Sequence, residues 1–175
     1  MFLQKLKRIN TLIFDIDGVL TNGDILASDS GEYLRTFNIK DGYALQLAVK
    51  RGYQVCVISG GQGLSMQKRF EGLGLKEIFL GISDKVSVYE TLVDKYGLDH
   101  EQILYMGDDI PDVNVMKLVG LPTCPSDAVP EIKAISQYIS PNAGGRAAVR
   151  DIIEKVMRSQ GKWYDEQPSA VDSGR

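Results

Sequence analysis

The chain has 175 residues, 43% of them hydrophobic, and a formal net charge of -3, which suits one domain with a real core and gives no basic footprint for a nucleic-acid backbone. The opening MFLQKLKRIN has no apolar stretch long enough for a signal peptide, and nowhere does an apolar run approach membrane-spanning length, so no membrane partner is expected. Cys56 and Cys124 stand inside apolar segments without metal-site spacing and read as reduced core thiols, which makes the cytoplasm the expected location.

Short, largely β-branched apolar runs alternate with stretches of 3.6-residue periodicity, the pattern of an α/β fold with a central parallel sheet. The first run, 12–14, leads straight into Asp15-Ile16-Asp17-Gly18. Residues 24–37 then break the rhythm: DILASDSGEYLRTF reads as two short strands around the turn DSGE, a projecting β-hairpin. Asp41 is placed to cap a helix whose Leu45, Ala48 and Val49 share one face and which Gly52 stops. Further strands are expected at 53–58, 77–80, 103–106, 121–124 and 137–140. Helices fill 62–74, the stretch from Asp84 to Gly97 with Tyr89, Leu92, Val93 and Tyr96 as its buried stripe, 110–118, and 146–158. One domain over 1–160 is expected, followed by a polar, flexible tail over 161–175.

In an open parallel sheet, ligands bind at the carboxyl ends of the strands, so the polar residues that follow each apolar run carry the information. The first strand ends in Asp15 and Asp17, the second in Ser59, Gly60 and Gly61, and Lys85 follows the third at a helix start. The fourth ends in Gly107, Asp108 and Asp109, with Asp112 one turn on. Several carboxylates at one edge repel unless a hard cation joins them, and oxygen ligands suit Mg²⁺. A hydroxyl, the free N–H groups of a Gly-Gly turn and an ammonium hold phosphoryl oxygens. In an extended segment Asp15 and Asp17 project to the same side, so one can attack while the other handles a proton, and Gly18 lets the chain turn away. Taken singly, each residue has an ordinary reading as a turn former, a helix cap or a solvated charge, and Asp109 and Asp112 also suit a helix N-terminus. Their order on successive strand ends is what joins them into a metal-dependent phosphate site.

DIDGVLT, the Ser59 strand end, Lys85 and GDDIPD together resemble the four motifs of the haloacid dehalogenase superfamily of phosphatases, over residues 11–116. DIDGVLTNG, the hairpin, FNIKDGYAL, the Lys85 region and AGGRAAVRD further resemble the 3-deoxy-D-manno-octulosonate 8-phosphate phosphatase family, up to residue 158. That resemblance implies a Rossmann-like three-layer fold, Mg²⁺, a sugar-acid phosphate substrate in lipopolysaccharide precursor synthesis, and a homotetramer in which neighbouring chains cover each active site. It also implies Asp15 as nucleophile and Asp17 as general acid and base, with the Asp17 backbone carbonyl, Asp15 and Asp108 on the metal. Ser59 and Lys85 would hold the phosphoryl group, and Asp109 and Asp112 would support the site.

Only 43 residues lie between Asp15 and Ser59 and 25 between Ser59 and Lys85, and both intervals are filled by the hairpin, helices and strands, so no cap domain fits. A capless site needs cover, and a homo-oligomer whose hairpin packs on a partner supplies it. A substrate carboxylate calls for a guanidinium, and Arg69 and Arg146 are the candidates. The nearest rival substrate is the 9-phosphate of a nine-carbon sialic-type acid, whose phosphatases tend to carry an acidic residue at the position of Gly61. A different class of protein, the phosphorylatable receiver domain, uses similar groups, but its lysine comes late in the chain, whereas Lys85 precedes the GDD cluster.

Overall fold

The computed structural model describes residues 1–164. Helix α1 (Phe2–Arg8) leads into β1 (Thr11–Phe14), and a hairpin of β2 (Leu26–Ala27) and β3 (Tyr33–Leu34) follows. Next come α2 (Ile39–Lys50), β4 (Gln54–Ile58), α3 (Leu64–Gly72), β5 (Glu77–Phe79) and α4 (Lys85–Tyr96). After β6 (Ile103–Met106), a 3-10 turn (Ile110–Asp112) runs into α5 (Val113–Met116), then β7 (Leu121–Cys124), α6 (Pro130–Ile135), β8 (Tyr138–Ile139) and α7 (Ala148–Ser159).

The six long-range strands form one parallel sheet in the order β5-β4-β1-β6-β7-β8, and β2 pairs only with β3. From β1 the chain moves outward through β4 to β5 and then crosses back to β6 on the other side. The strand order therefore reverses beside β1, and the loops after β1 and β6 part there and leave a crevice. Alternate residues on each strand face opposite layers. Leu12, Phe14, Val55, Val57, Leu104 and Met106 pack with Leu45, Met66, Phe70, Ile152 and Val156 from α2, α3 and α7. Ile13, Cys56, Ile58, Ile103 and Tyr105 pack with Tyr89, Leu92, Met116 and Ile132 from α4, α5 and α6. The result is the three-layer α/β architecture expected, with both sheet faces covered, which is why the strands read as continuous apolar runs. Truncating a fully buried central ring such as Phe14 to alanine removes about 3–5 kcal/mol of stability.

Four local expectations need correction. Helix α2 starts at Ile39 and is capped by Asn38, whose side chain accepts from Lys40 N at 2.8 Å and Asp41 N at 3.3 Å. Asp41 lies inside that helix and is buried; its carboxylate accepts from Ala147 N at 3.3 Å and Arg150 N at 2.9 Å, so it caps α7 instead. Tyr96 leaves the buried stripe of α4: it is exposed, and its hydroxyl donates to Glu77. Helices α1 and α6 have no counterpart among the expected helices; each is too short to display a period, and α6 is announced only by Pro130 at its first turn. Finally, the tail expected from residue 161 begins packed, with Trp163 buried under the Arg150 guanidinium (5.1 Å from the ring centre) and edge-on to Tyr43; residues 165–175 lie outside the described residues.

Candidate active site

Parallel pairing sets the level of each functional side chain. Phe14 on β1 stands opposite Val57 on β4 and Met106 on β6, so the residues just beyond these strands emerge at one edge. Asp15 N donates to Met106 O at 3.0 Å, which continues the ladder one step past β1 and fixes the Asp15 backbone against β6. Asp15, Asp17, Ser59, Gly60, Gly61, Lys85, Asp108 and Asp109 line one cavity of about 440 Å³, together with Gly23, Ile82, Ser83 and Pro111. A larger cavity of about 560 Å³ lies between the hairpin and the start of α3, lined by Tyr33, Leu34, Gln62 and Leu64 among others, and it holds none of the strand-end carboxylates.

The floor of the first cavity is a charge network. Lys85 Nζ lies 3.1 Å from Asp15 Oδ1 and 2.7 Å from Asp112 Oδ1. Asp112 is fully buried: the same Oδ1 accepts from the Tyr105 hydroxyl at 2.7 Å, and its Oδ2 accepts from Asp108 N at 3.1 Å. Asp15 Oδ1 also accepts from Ile16 N at 2.7 Å. One ammonium thus serves a cluster of three carboxylates, with Asp15 and Asp112 in contact with it and Asp108 beside them. Burial and then the Asp112 charge raise the Asp15 carboxyl well above its ordinary value, against the pull of Lys85. Burial, with Asp112 and Asp109, lifts Asp108 to about 7. Burial alone would lower the Lys85 ammonium, but Asp15 and Asp112 outweigh it and hold the lysine above its usual range. Tyr105 is raised by burial and by the same carboxylates, which keeps its hydroxyl as a donor.

This imbalance is what a hard cation relieves. One oxygen each from Asp15, Asp108 and Asp112 lies within 4.8 Å of the others, close enough for one ion; at that separation two carboxylates repel by roughly 3 kcal/mol at an effective dielectric near 20. Both oxygens of Asp112 are already accepting hydrogen bonds, so Asp15 and Asp108 are the side chains free to ligate, and Asp112 braces them from behind. Asp109 is exposed, and its side chain accepts from Ile110 N at 2.7 Å, which is the helix-start role open to it from sequence.

Gly18 sits between these groups with φ +82°, and a Cβ there would come within 1.9 Å of Asp108 Oδ2. The glycine after the second aspartate therefore does two things: it takes the left-handed turn, and it leaves room for the carboxylate of another strand. Ser59 is buried with its Oγ accepting from Gly61 N at 3.1 Å, and the loop is tied to the one after β5 by Ile82 N to Ser59 O and Gly81 N to Gly61 O, both 2.9 Å.

Asp17 faces the hairpin. Arg35, directly after β3, donates from Nε to Asp17 Oδ1 at 2.6 Å and from Nη2 to Oδ2 at 3.0 Å. Its side chain is only 4% exposed, although the hairpin around it is open to solvent. The rule that reads polar residues at the ends of the parallel strands does not reach Arg35, because it follows a strand of the separate hairpin; its one sequence signal is a lone arginine at the foot of that hairpin. The two arginines singled out from sequence stand elsewhere. Arg69 packs beside Phe37, Asn38, Asp41 and Gly42 near the start of α2, and Arg146 is exposed on the loop before α7.

A crevice at the strand-order reversal, an aspartate pair just after β1, a hydroxyl just after β4, a buried lysine and a carboxylate just after β6 define a phosphoryl-transfer enzyme of the haloacid dehalogenase type. The sequence model for haloacid dehalogenase-like hydrolases matches residues 77–153. The 3-deoxy-D-manno-octulosonate 8-phosphate phosphatase of Escherichia coli K12 is 35% identical over 160 residues, covering 91% of this chain and 85% of the relative. A crystal structure of that phosphatase from Yersinia pestis superposes with TM-score 0.90 at 34% identity, over 92% of this chain and 87% of that one. The Moraxella catarrhalis enzyme, solved with magnesium ion, phosphate ion and KDO, gives TM-score 0.88 at 29% identity, over 92% of each chain. The chain belongs to the 3-deoxy-D-manno-octulosonate 8-phosphate phosphatase family of haloacid dehalogenase-like hydrolases.

Proposed function

We propose that the chain is a Mg²⁺-dependent phosphatase that hydrolyses 3-deoxy-D-manno-octulosonate 8-phosphate to the free sugar acid and phosphate, as a step in lipopolysaccharide precursor synthesis. The observation that carries this reading is the meeting of Asp15, Lys85 and Asp108 at one cavity in a chain collinear with relatives of that activity.

Asp15 is the nucleophile. Its carboxylate attacks phosphorus in line with the leaving sugar oxygen, and Asp17 donates a proton to that oxygen as the bond breaks, leaving an aspartyl phosphate on Asp15. Asp17 then takes a proton from the water that hydrolyses the acyl phosphate. Mg²⁺, held by Asp15, Asp108 and the Asp17 backbone carbonyl, supplies the charge that offsets the phosphoryl oxygens. Lys85 keeps Asp15 aimed into the cavity and contributes a second positive charge, while the Ser59 hydroxyl and the Gly60 amide take the remaining oxygens, and the Gly61 amide orients Ser59. Asp112 orients Lys85 and the Asp108 backbone together.

We further propose a homotetramer in which the hairpin covers a neighbouring active site. In support, Leu26 is 68% and Tyr33 59% exposed on the hairpin and Leu64 is 69% exposed beside it, and Tyr33 and Leu64 border the open apolar cavity. A cytoplasmic setting accords with two free, buried thiols. The test is phosphate release with and without Mg²⁺ over eight-carbon and nine-carbon sugar-acid phosphates and simple sugar phosphates. Mg²⁺-dependent multiple turnover with preference for the eight-carbon ester supports the reading, and equal rates on all esters contradict the assigned substrate. Asp15→Asn abolishes turnover and leaves the fold intact; near-normal activity in that variant contradicts the mechanism.

A further inference from the structure

The clamp on Asp17 poses a chemical problem. Proton delivery to a leaving alkoxide requires an O–H aimed at the ester oxygen, yet both Asp17 oxygens accept from one guanidinium. While that bidentate pair stands, Asp17 is turned toward the hairpin and away from proton transfer. Turnover therefore requires Arg35 to let go. A guanidinium buried to this degree needs another acceptor when it leaves its partner. The cation on the cavity floor, Lys85, is already shared between Asp15 and Asp112, and Arg69 and Arg146 lie outside the cavity lining.

We propose that Arg35 is a substrate-positioning residue that exchanges carboxylates during turnover, passing its bidentate pair from Asp17 to the carboxylate of the sugar-acid substrate. This rests on the phosphatase reading above and adds to it a mechanism of selection. The substrate offers Arg35 the same planar group it already holds, so the fork geometry is conserved in the exchange. Gly61 leaves room for the arrangement: a Cβ there would lie 2.6 Å from both Arg35 Nη2 and Asp17 Oδ2, so any side chain would force the guanidinium or the carboxylate to shift. Arg35 is also anchored locally by Nη1 donating to Tyr33 O at 3.1 Å, which keeps the guanidinium at the mouth when Asp17 is released. An ester with no carboxylate cannot take Arg35, and Asp17 stays occupied. Selection for an acidic sugar is thus linked to freeing the proton donor, and is not confined to binding.

The experiment compares kcat/KM of the full chain and of Arg35→Gln and Arg35→Lys on two alkyl esters with Mg²⁺: 3-deoxy-D-manno-octulosonate 8-phosphate and mannose 6-phosphate, which lacks a carboxylate. Losing one charged bidentate contact lowers kcat/KM for the sugar-acid ester about 10- to 100-fold in Arg35→Gln. The same variant raises kcat/KM for mannose 6-phosphate several-fold, because Asp17 is released. Arg35→Lys, which keeps charge but not the fork, falls between. Equal loss on both esters, or an unchanged ratio between them, overturns the proposal and leaves the phosphatase reading in place. Should Arg35→Gln fail to fold, the ratio in Arg35→Lys decides by the same criterion. A wild-type chain inactive on both esters removes the phosphatase reading itself, and this inference with it.

Discussion

Replacing Gly18 with alanine separates a backbone effect from a site effect. The residue has φ +82°, where an alanine costs about 1–2 kcal/mol. Its Cβ would also fall 1.9 Å from Asp108 Oδ2, so that carboxylate must retreat by about 1 Å or more to reach ordinary contact. Gly52 provides the control, with φ +87° and nothing within 4 Å of a Cβ, so Gly52→Ala carries the conformational penalty alone. Both variants should lose stability by about 1–2 kcal/mol, which lowers Tm by roughly 2–8 °C in a chain of this size. Only Gly18→Ala should also lose activity, by about 100-fold, the usual consequence of a 1 Å misplacement of a reacting or ligating group, together with a clear fall in Mg²⁺ affinity. The assays are differential scanning fluorimetry in EDTA, Mg²⁺ titration and steady-state phosphate release. Gly18→Ala matching Gly52→Ala in turnover and Mg²⁺ affinity would refute the placement of Asp108 as a ligand that needs an empty position at 18.

The remaining predictions concern charge, strain and assembly. Asp108 is lifted from 3.8 to about 7, so its contribution favours the metal-free fold at low pH and is lost as pH rises through about 7. Mg²⁺ must displace that proton, so its affinity should climb across the same window and calorimetry in two buffers should register proton release at neutral pH; a pH-independent affinity contradicts this. Ala147 has φ +71°, the one non-glycine positive φ among the described residues. Ala147→Gly relieves about 1 kcal/mol and returns somewhat less through unfolded-chain entropy, for a net gain of about 0.5 kcal/mol and a slightly higher Tm; a lower Tm contradicts the left-handed geometry. If the proposed homotetramer forms, Tyr33→Lys with Leu26→Lys on the hairpin should shift it toward smaller species in sedimentation, and a sedimentation profile unchanged from wild type contradicts the cover proposed for the hairpin.

How far the sequence reaches depends on whether a feature is local or assembled from distant parts. Strands at 103–106 and 121–124 were legible to the residue because buried parallel strands are short apolar runs with polar residues at their ends. The same rule brought Asp15, Ser59, Lys85 and Asp108 to one cavity, since strand ends in register must emerge together. Asp41 misled because an aspartate near a helix start fits its own amides, and only tertiary packing shows that it serves α7. Arg35 was illegible for the opposite reason: its partner is 18 residues away on another element, and no periodicity marks a pair made by hairpin folding. Arg69 and Arg146 were chosen for charge alone, and charge does not state direction.

The most direct test of the account is rapid-quench trapping of the enzyme during turnover of 3-deoxy-D-manno-octulosonate 8-phosphate with Mg²⁺, followed by reduction of acyl phosphate and peptide mass spectrometry. A modified aspartate is expected at position 15, formed within the first turnover and absent in EDTA and in Asp15→Asn. Turnover without any label on Asp15, or with the label on Asp17 or Asp108, would contradict it.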